Sequence, residues 1–130
     1  MILCTERQVT DVMSDSVWVK AISPQDLEGR PGLGGRWRRF ISPSKANAGL
    51  IVAMGEIQSG EAMGWHAHPE PEVFFVLEGH GEAQWREGNE ENTAEMHPGT
   101  AFFKVGGIAH NMINRGSTPF RGLGIKVGSV

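Results

Sequence analysis

Glycine and proline recur along most of this chain and leave room for short strands rather than long helices. The 130 residues include 18 glycines and 7 prolines. Inside a helix, glycine costs about 1 kcal/mol relative to alanine and proline about 3 kcal/mol. Tight turns between strands, in contrast, use both residue types readily. The composition therefore predicts an all-β fold.

Short segments rich in β-branched, aromatic or alternating residues lie between these breaks. They predict strands over residues 17–22, 36–41, 50–57, 73–77, 81–85, 101–105, 109–113 and 120–127. The intervening segments predict a turn or single helical turn over 23–29, a loop over 30–35 and a polar hairpin tip over 87–92. By size the chain is a single domain, 1–130, with an N-terminal strand and loop region over 1–35 and a barrel core over 50–127. Short strands without a long helix favour a closed or nearly closed double sheet.

One short stretch concentrates residues that can bind metal. His66 and His68 are two residues apart, so on a strand their side chains point to the same face and can reach one ion. Pro69 and Pro71 then interrupt ladder pairing, after which Glu72 opens the apolar run of residues 73–77. The chain can thus bring the Glu72 carboxylate back beside the two imidazoles from a neighbouring strand.

Two motifs in this part of the sequence resemble those of the cupin superfamily. The first motif is filled at every fixed position by Gly60, His66, His68, Glu72 and Gly79. The second is filled by Gly99, Gly107, His110 and Asn114, while Val105 stands where cupins usually carry proline. The resemblance covers about 55 residues, from Gly60 to Asn114, with 19 residues between Gly79 and Gly99. It implies a cupin double-stranded β-helix, a barrel of the jelly-roll kind.

The same resemblance implies a metal site at one end of the barrel. Its ligands would be His66, His68, Glu72 and His110, and its cofactor one divalent transition metal ion, namely Fe, Mn, Ni, Zn, Co or Cu. Four nitrogen and oxygen ligands leave positions open on a six-coordinate ion, whereas structural zinc sites are normally closed and tetrahedral. We therefore expect an ion that is accessible to a small molecule.

Several functions are compatible with such an open site. We expect a metal-dependent enzyme acting on a small organic molecule, most of all by oxygenase-type chemistry of a dioxygenase-like kind, with Glu72 as the catalytic base or a bound ligand. A small-ligand-binding protein without turnover is one alternative, and an isomerase or decarboxylase that uses the metal as a Lewis acid is another. The chain contains no tyrosine. This argues against the thiol dioxygenases and the tyrosine-dependent lyases among cupins.

Strand alternation suggests which side chains line a substrate pocket around the metal. The candidates share an apolar or acidic side chain on a strand of the expected barrel: Met54, Glu56, Phe74, Trp85, Phe103 and Met112. For the apolar residues, ordinary barrel core is the competing interpretation. The cluster of Arg36, Arg38 and Arg39 could bind a substrate carboxylate, or could protect an edge strand by its charge.

Charge and composition limit the partners and the compartment. A formal net charge of −3 gives no broad attraction for nucleic acid. The single cysteine, Cys4, cannot form an intramolecular disulfide, and no long apolar run or signal peptide is visible, so we expect a cytoplasmic protein that does not enter a membrane.

Phe75 and Leu77 should alternate outward on an apolar sheet face. Cupins commonly pair through such a sheet and exchange an N-terminal strand, for which residues 17–22 are suited, and we therefore expect a homodimer.

Overall fold

Short strands make up most of the chain. The computed structural model describes residues 12–13 and 18–128; Cys4 and Val17 lie outside the described residues. The strands are β1 (Val12–Met13), β2 (Trp18–Val19), β3 (Glu28–Arg30), β4 (Leu33–Ile41), β5 (Leu50–Ile57), β6 (Glu72–Glu78), β7 (Gly81–Glu87), β8 (Glu90–Met96), β9 (Ala101–Lys104), β10 (His110–Ile113) and β11 (Phe120–Val127). The helical element within the described ranges is a single 3-10 turn over Pro24–Asp26. The all-β prediction is confirmed.

Two antiparallel sheets face each other and enclose the core. One has six strands in the order β3-β4-β5-β11-β6-β9, and the other has three in the order β10-β7-β8; β1 and β2 pair separately with each other. The segment between β5 and β6 joins the sheets, because Ala62 bridges to Ile113 and His66 bridges to His110 on β10. The core between the sheets is apolar and consists of Trp37, Ile57, Met63, Phe74, Val76, Ala83, Met96, Met112 and Phe120.

Two glycines let aromatic rings pass close to the backbone of the larger sheet. A Cβ atom at Gly122 would collide with the Phe74 ring, and one at Gly55 would collide with the Trp37 ring. Both glycines lie on the inner face of the sheet, so the rings fill the space that a side chain would otherwise take. This arrangement fixes which face of β6 looks inward, and with it the inward direction of Glu72 at the start of that strand.

The strand boundaries agree with the sequence pattern in most places, and two predicted connections are shorter than expected. The predicted loop over residues 30–35 is instead a tight turn between β3 and β4, with Leu33 already in β4. The predicted polar tip over 87–92 is shorter, since Gly88 and Asn89 make the turn and β8 starts at Glu90. β8 lies at an edge of the smaller sheet and is largely exposed. Its polar residues can therefore form a strand that hydropathy does not reveal.

No helix within the described residues is long and apolar enough to cross a membrane.

Candidate metal centre

Three histidines from two parts of the chain meet at one end of the barrel. His66 and His68 come from the segment between β5 and β6, and His110 is the first residue of β10. Backbone hydrogen bonds hold the two parts together: the His66 N–H donates to the His110 carbonyl at 3.1 Å, and the His110 N–H donates to the His66 carbonyl at 2.9 Å. The potential ligand atoms of the three side chains all lie within 4.8 Å of one another, so the cluster could hold a metal ion.

Backbone carbonyl groups determine which nitrogen of each imidazole faces the cluster. Nδ1 lies 2.9 Å from the Gly64 carbonyl oxygen in His66, 2.9 Å from that of Glu70 in His68, and 2.8 Å from that of Ile108 in His110. A carbonyl oxygen can only accept a hydrogen bond, so each Nδ1 is the donor. In the neutral ring Nε2 then keeps its lone pair, which is the state that binds metal.

His110 provides a direct indication that a ligand belongs here. The residue is 1% exposed, and its Nε2 has no hydrogen-bond partner among the described residues. Burial lowers the pKa of His110 to about 4, and burial also lowers the pKa of His66. An unpaired buried acceptor is costly, and a cation bound to it removes that cost. Neutral imidazoles with converging lone pairs fit a divalent transition metal ion.

Glu72 lies at the edge of this cluster and is held by a lysine. Its Oε1 is 3.3 Å from His68 Nε2, 3.8 Å from His110 Nε2 and 3.1 Å from Lys104 Nζ, which donates a hydrogen bond to it. Burial alone would raise the pKa of Glu72, but Lys104, together with His68 and Lys126, outweighs this effect and the pKa is lowered. Burial also lowers the pKa of Lys104, against the opposing effect of Glu72.

The contact between Glu72 and His68 is itself informative. With Nδ1 of His68 donating to a carbonyl, a neutral ring would place two acceptors, Nε2 and Oε1, against each other. Either a proton or a metal ion between these atoms would satisfy both. The group within 4.8 Å comprises the three imidazoles. Glu72 as the fourth ligand therefore stays a prediction that its position next to two of the Nε2 atoms permits.

A cavity of about 430 Å³ opens between β8 and β9, and none of the three histidines lines it. Trp85 and Phe102 separate it from the cluster: their rings are 5.7 Å apart between centroids, and the Phe102 centroid is 6.4 Å from that of His110. The buried Lys104 also lines the cavity. Its size is within the range of small-molecule sites.

Comparison with known families identifies the barrel. The cupin domain family, Cupin_2, matches residues 53–126, more than half of the chain. This chain belongs to the cupin family. No curated protein gives a significant match to the sequence.

Solved structures agree with that assignment at the level of the fold. A cupin 2 conserved barrel domain protein from Salinispora arenicola CNS-205 is 17% identical, with a TM-score of 0.70 over 88% of this chain and 92% of the other. A cupin domain from Bordetella pertussis Tohama I is 21% identical, with a TM-score of 0.59 over 78% of this chain and 100% of the other. An oxalate decarboxylase from Lactobacillus farciminis, solved as a formate complex, is 20% identical, with a TM-score of 0.72 over 90% of this chain but only 35% of the other. At these identities the matches show the cupin double-stranded β-helix and nothing finer.

The cupin barrel distributes the expected pocket residues over three environments. Trp85 lines the cavity, whereas Phe74 and Met112 belong to the core. Phe103 is 62% exposed and reaches only the rim of the cavity. Met54 and Glu56 lie on the face of β5 opposite to the core-facing Ile57, and Glu56 is paired there with arginines.

Two residues near the histidines were not identified from the sequence. Phe102 and Lys104, rather than Phe103, point into the barrel from β9. The consecutive pair Phe102 and Phe103 gives no alternation from which to choose a face. Only the pairing of Lys104 with Glu72 across β9 and β6 fixes the choice, and a single sequence does not contain that register.

The arginine cluster does not protect an edge strand, and two of its three members form ion pairs. β4 lies between β3 and β5 and is therefore not an edge strand. Arg36 binds Glu56, and Arg38 donates to Glu28 at 3.3 Å. Arg36 and Arg38 thus form ion pairs on the outer face of the barrel, away from the histidines. Arg39 lies opposite Ala53 on the inner face of β4, and its binding of a substrate carboxylate stays a prediction.

Proposed function

We propose that this cupin is a metal-dependent enzyme that acts on a small organic molecule. The observation that carries the proposal is the buried Nε2 of His110, which has no hydrogen-bond partner in the described part of the chain and lies close to the ring nitrogens of His66 and His68. A structural site would close around its ion, commonly with cysteine, whereas this cluster offers three imidazoles next to a cavity. That arrangement supports an ion with positions free for a substrate.

The residues around the cluster have distinct parts in such a site. His66, His68 and His110 would hold the ion, and Glu72 would either join them or accept a proton from the substrate. Lys104 lowers the pKa of Glu72, which favours the ionised carboxylate that binds a metal ion but makes it a weaker base. Trp85 and the Phe102 ring exclude water from one side. A bound divalent ion would supply Lewis acidity and, if it is redox-active, a site at which dioxygen can react.

Oxygenase-type chemistry is our first candidate, because three nitrogen ligands with a neighbouring carboxylate suit iron, manganese, copper or nickel, and the adjoining cavity is walled by aromatic rings. A non-redox isomerase or decarboxylase is the second. The observation in its favour is the contact of 3.1 Å between Lys104 and Glu72, which places a proton donor and a proton acceptor together beside the metal ligands. A ligand-binding protein without turnover would use the same pocket.

Metal analysis and the dependence on dioxygen test these candidates. Protein purified without added ions is expected to contain a divalent transition metal, and the iron-loaded protein is then incubated with a panel of small organic acids and ketones. Product formation that requires dioxygen, with matching oxygen consumption, supports the oxygenase. Equal turnover without dioxygen eliminates it and supports Lewis-acid chemistry. Binding without any product supports the binding protein, and protein that takes up no metal contradicts all metal-dependent functions.

A further inference from the structure

Glu72 is flanked by a lysine on each neighbouring strand. In the register of the larger sheet, Glu72 on β6 lies directly opposite Lys104 on β9 and opposite Lys126 on β11. Residues directly opposite each other in a sheet share a face, so both ammonium groups accompany the carboxylate. Arg30, whose guanidinium carbon is 5.1 Å from the Trp37 ring centroid, also interacts electrostatically with Glu72. Two lysines thus flank a single carboxylate in the sheet, even before a metal ion is added.

Lys104 connects this charged end of the barrel to the cavity. Its side chain is 2% exposed, its Nζ lies 4.4 Å from the Phe102 ring centroid, and it contributes to the cavity wall. Removing a cation from water is unfavourable unless an anion compensates it. The negative charge of Glu72 balances the positive charge of Lys104. If Glu72 also binds a metal ion, its single negative charge cannot balance both, and positive charge is left in excess. An anionic ligand would balance that excess.

The rest of the cavity is suited to an apolar body. Trp85, Met96, Phe102 and Ile108 contribute apolar side chains to its wall. Its volume of about 430 Å³ is close to the lower end of the range for sites that bind drug-sized ligands. The polar side chains of the wall are Glu87, Glu95, Thr100 and Lys104. The two glutamates are exposed, whereas Lys104 is buried. A ligand that fills the cavity would therefore bring an anionic end to Lys104.

We propose that the cavity between β8 and β9 selects a small organic carboxylate with an apolar body, whose carboxylate group binds Lys104 beside the metal ligands. The proposal rests on the proposed function and names its substrate class. Lys104 is accordingly a residue that determines specificity. The apolar part of the ligand lies against Trp85 and Phe102, and the carboxylate takes the place of solvent next to the ammonium group.

A matched pair of probes tests the charge preference. Phenylpyruvate carries an aromatic body and a carboxylate, and phenylacetone has the same body with a methyl group in place of the carboxylate. Calorimetric titration of the zinc-loaded protein is expected to give an affinity for phenylpyruvate at least about tenfold higher than that for phenylacetone. Lys104→Met should lower the phenylpyruvate affinity by about tenfold and leave that of phenylacetone unchanged. Lys45→Met, at an exposed position in the turn before β5, should change neither.

A second pair of variants tests the cavity without altering a buried residue. Ala94 on β8 lines the cavity, whereas its neighbour Thr93 points to the opposite face of the strand. Ala94→Trp should fill the cavity and reduce the affinity for both probes by at least about tenfold. Thr93→Trp should leave both affinities unchanged. If Lys104→Met does not fold, the proposal is tested by these two variants and by the affinities of the wild type for phenylpyruvate and phenylacetone.

The outcomes separate this proposal from the proposed function. Metal content is measured for every variant, and both titrations are repeated on metal-free protein. A wild type without metal overturns the proposed function, yet a preference for phenylpyruvate that Lys104→Met abolishes would still support the carboxylate site. Equal affinities for the two probes overturn the carboxylate proposal, as does unchanged phenylpyruvate binding in folded Lys104→Met. Absence of binding of either probe at millimolar concentration also overturns it.

Discussion

Each histidine of the cluster obtains its metal-binding tautomer from the chain close to it. The carbonyl group that receives the Nδ1 proton belongs to a residue two positions away: Gly64 for His66, Glu70 for His68 and Ile108 for His110. The orientation of the rings is therefore set by local backbone conformation rather than by other side chains. This explains why replacement of surrounding side chains should affect the cluster less than replacement of a histidine.

His66→Ala and His110→Ala are expected to purify with little metal, because either change removes one of three converging nitrogens. Loss of an outer contact to a ligand already costs about 10- to 100-fold in metal affinity, and loss of a ligand should cost more. His80→Ala, at an exposed histidine outside the cluster, should retain the metal content of the wild type. Elemental analysis after dialysis measures all three. Equal metal content in the three variants would refute the site.

Metal content should fall on acidification. Protons compete with a metal for imidazole nitrogen, and burial sets the pKa of His110 at about 4 instead of 6.5. Because the folded imidazole resists protonation, acid should release the metal at a lower pH than from exposed histidines. Metal retained at pH 5.5 but lost near pH 4 is the expected result of dialysis at stepwise pH.

The three histidines that could bind a metal were predictable from sequence because their spacing follows a fixed motif. His66 and His68 reach one point from a short segment with little regular pairing, in which Ala62 and His66 form isolated β-bridges. The motif therefore predicts the cluster even though the expected strand is absent there. Lys104 is different, since its role depends on its register with Glu72, which is 32 positions away. Spacing along the chain does not encode that contact.

At the scale of the strands, alternating charges cross four neighbours of the larger sheet. Arg36 on β4 lies opposite Glu56 on β5, Glu56 lies opposite Arg121 on β11, and Arg121 pairs with Glu78 on β6. Glu56 accepts hydrogen bonds from Arg36 and, at 2.5 Å, from Arg121. Arg121 also donates a hydrogen bond to Glu78 at 2.7 Å. Burial would raise the pKa of Glu56, but hydrogen bonds from the two arginines outweigh it and the pKa is lowered.

Glu56→Gln should lower the free energy of unfolding by about 2 kcal/mol at pH 7, because two arginines lose a charged acceptor. Glu56 has a folded pKa below the ordinary 4.5, so its stabilisation is present above pH 4.5 and is lost as the pH falls through the lowered value. The difference between wild type and variant should therefore shrink below pH 4.5. Urea unfolding at pH 7 and at pH 3.5 measures it.

Glu90→Gln is the matched control, since Glu90 is exposed at the β7–β8 hairpin. It should change the unfolding free energy by less than about 0.5 kcal/mol at both pH values. A Glu56→Gln variant as stable as this control would contradict the ion-pair account.

Strand prediction succeeded where hydropathy and pairing agree. Leu50–Ile57 and Phe120–Val127 have the bounds that the sequence predicts, and they pair with each other along their whole length in the centre of the larger sheet. β3 and β8 were missed or shortened, and both are edge strands with mostly exposed residues. An edge strand buries little apolar surface, so its sequence carries little periodic signal.

At the scale of the whole molecule, part of the outer face of the six-stranded sheet is apolar. Phe75 is 38% exposed and Leu77 is 41% exposed, in agreement with the outward alternation expected from sequence. In the strand register, Phe75 lies beside Ala101 on β9 and Leu123 on β11, and Leu123 lies beside Met54 on β5. Apolar side chains thus continue across four strands. A contiguous face of this kind is typical of a protein–protein interface.

Dimerisation through this face is our prediction for the whole molecule. A two-fold arrangement would bury the same patch on both copies, and sedimentation equilibrium should then give twice the chain mass of 14.2 kDa. Phe75→Glu places a charge at the centre of the patch and should shift the species to the monomer, with metal content unchanged because the side chain points away from the histidines. Thr93→Glu, on the smaller sheet, should remain a dimer. A wild type that stays monomeric at every concentration contradicts the prediction. If Phe75→Glu still dimerises, the dimer interface lies on another surface.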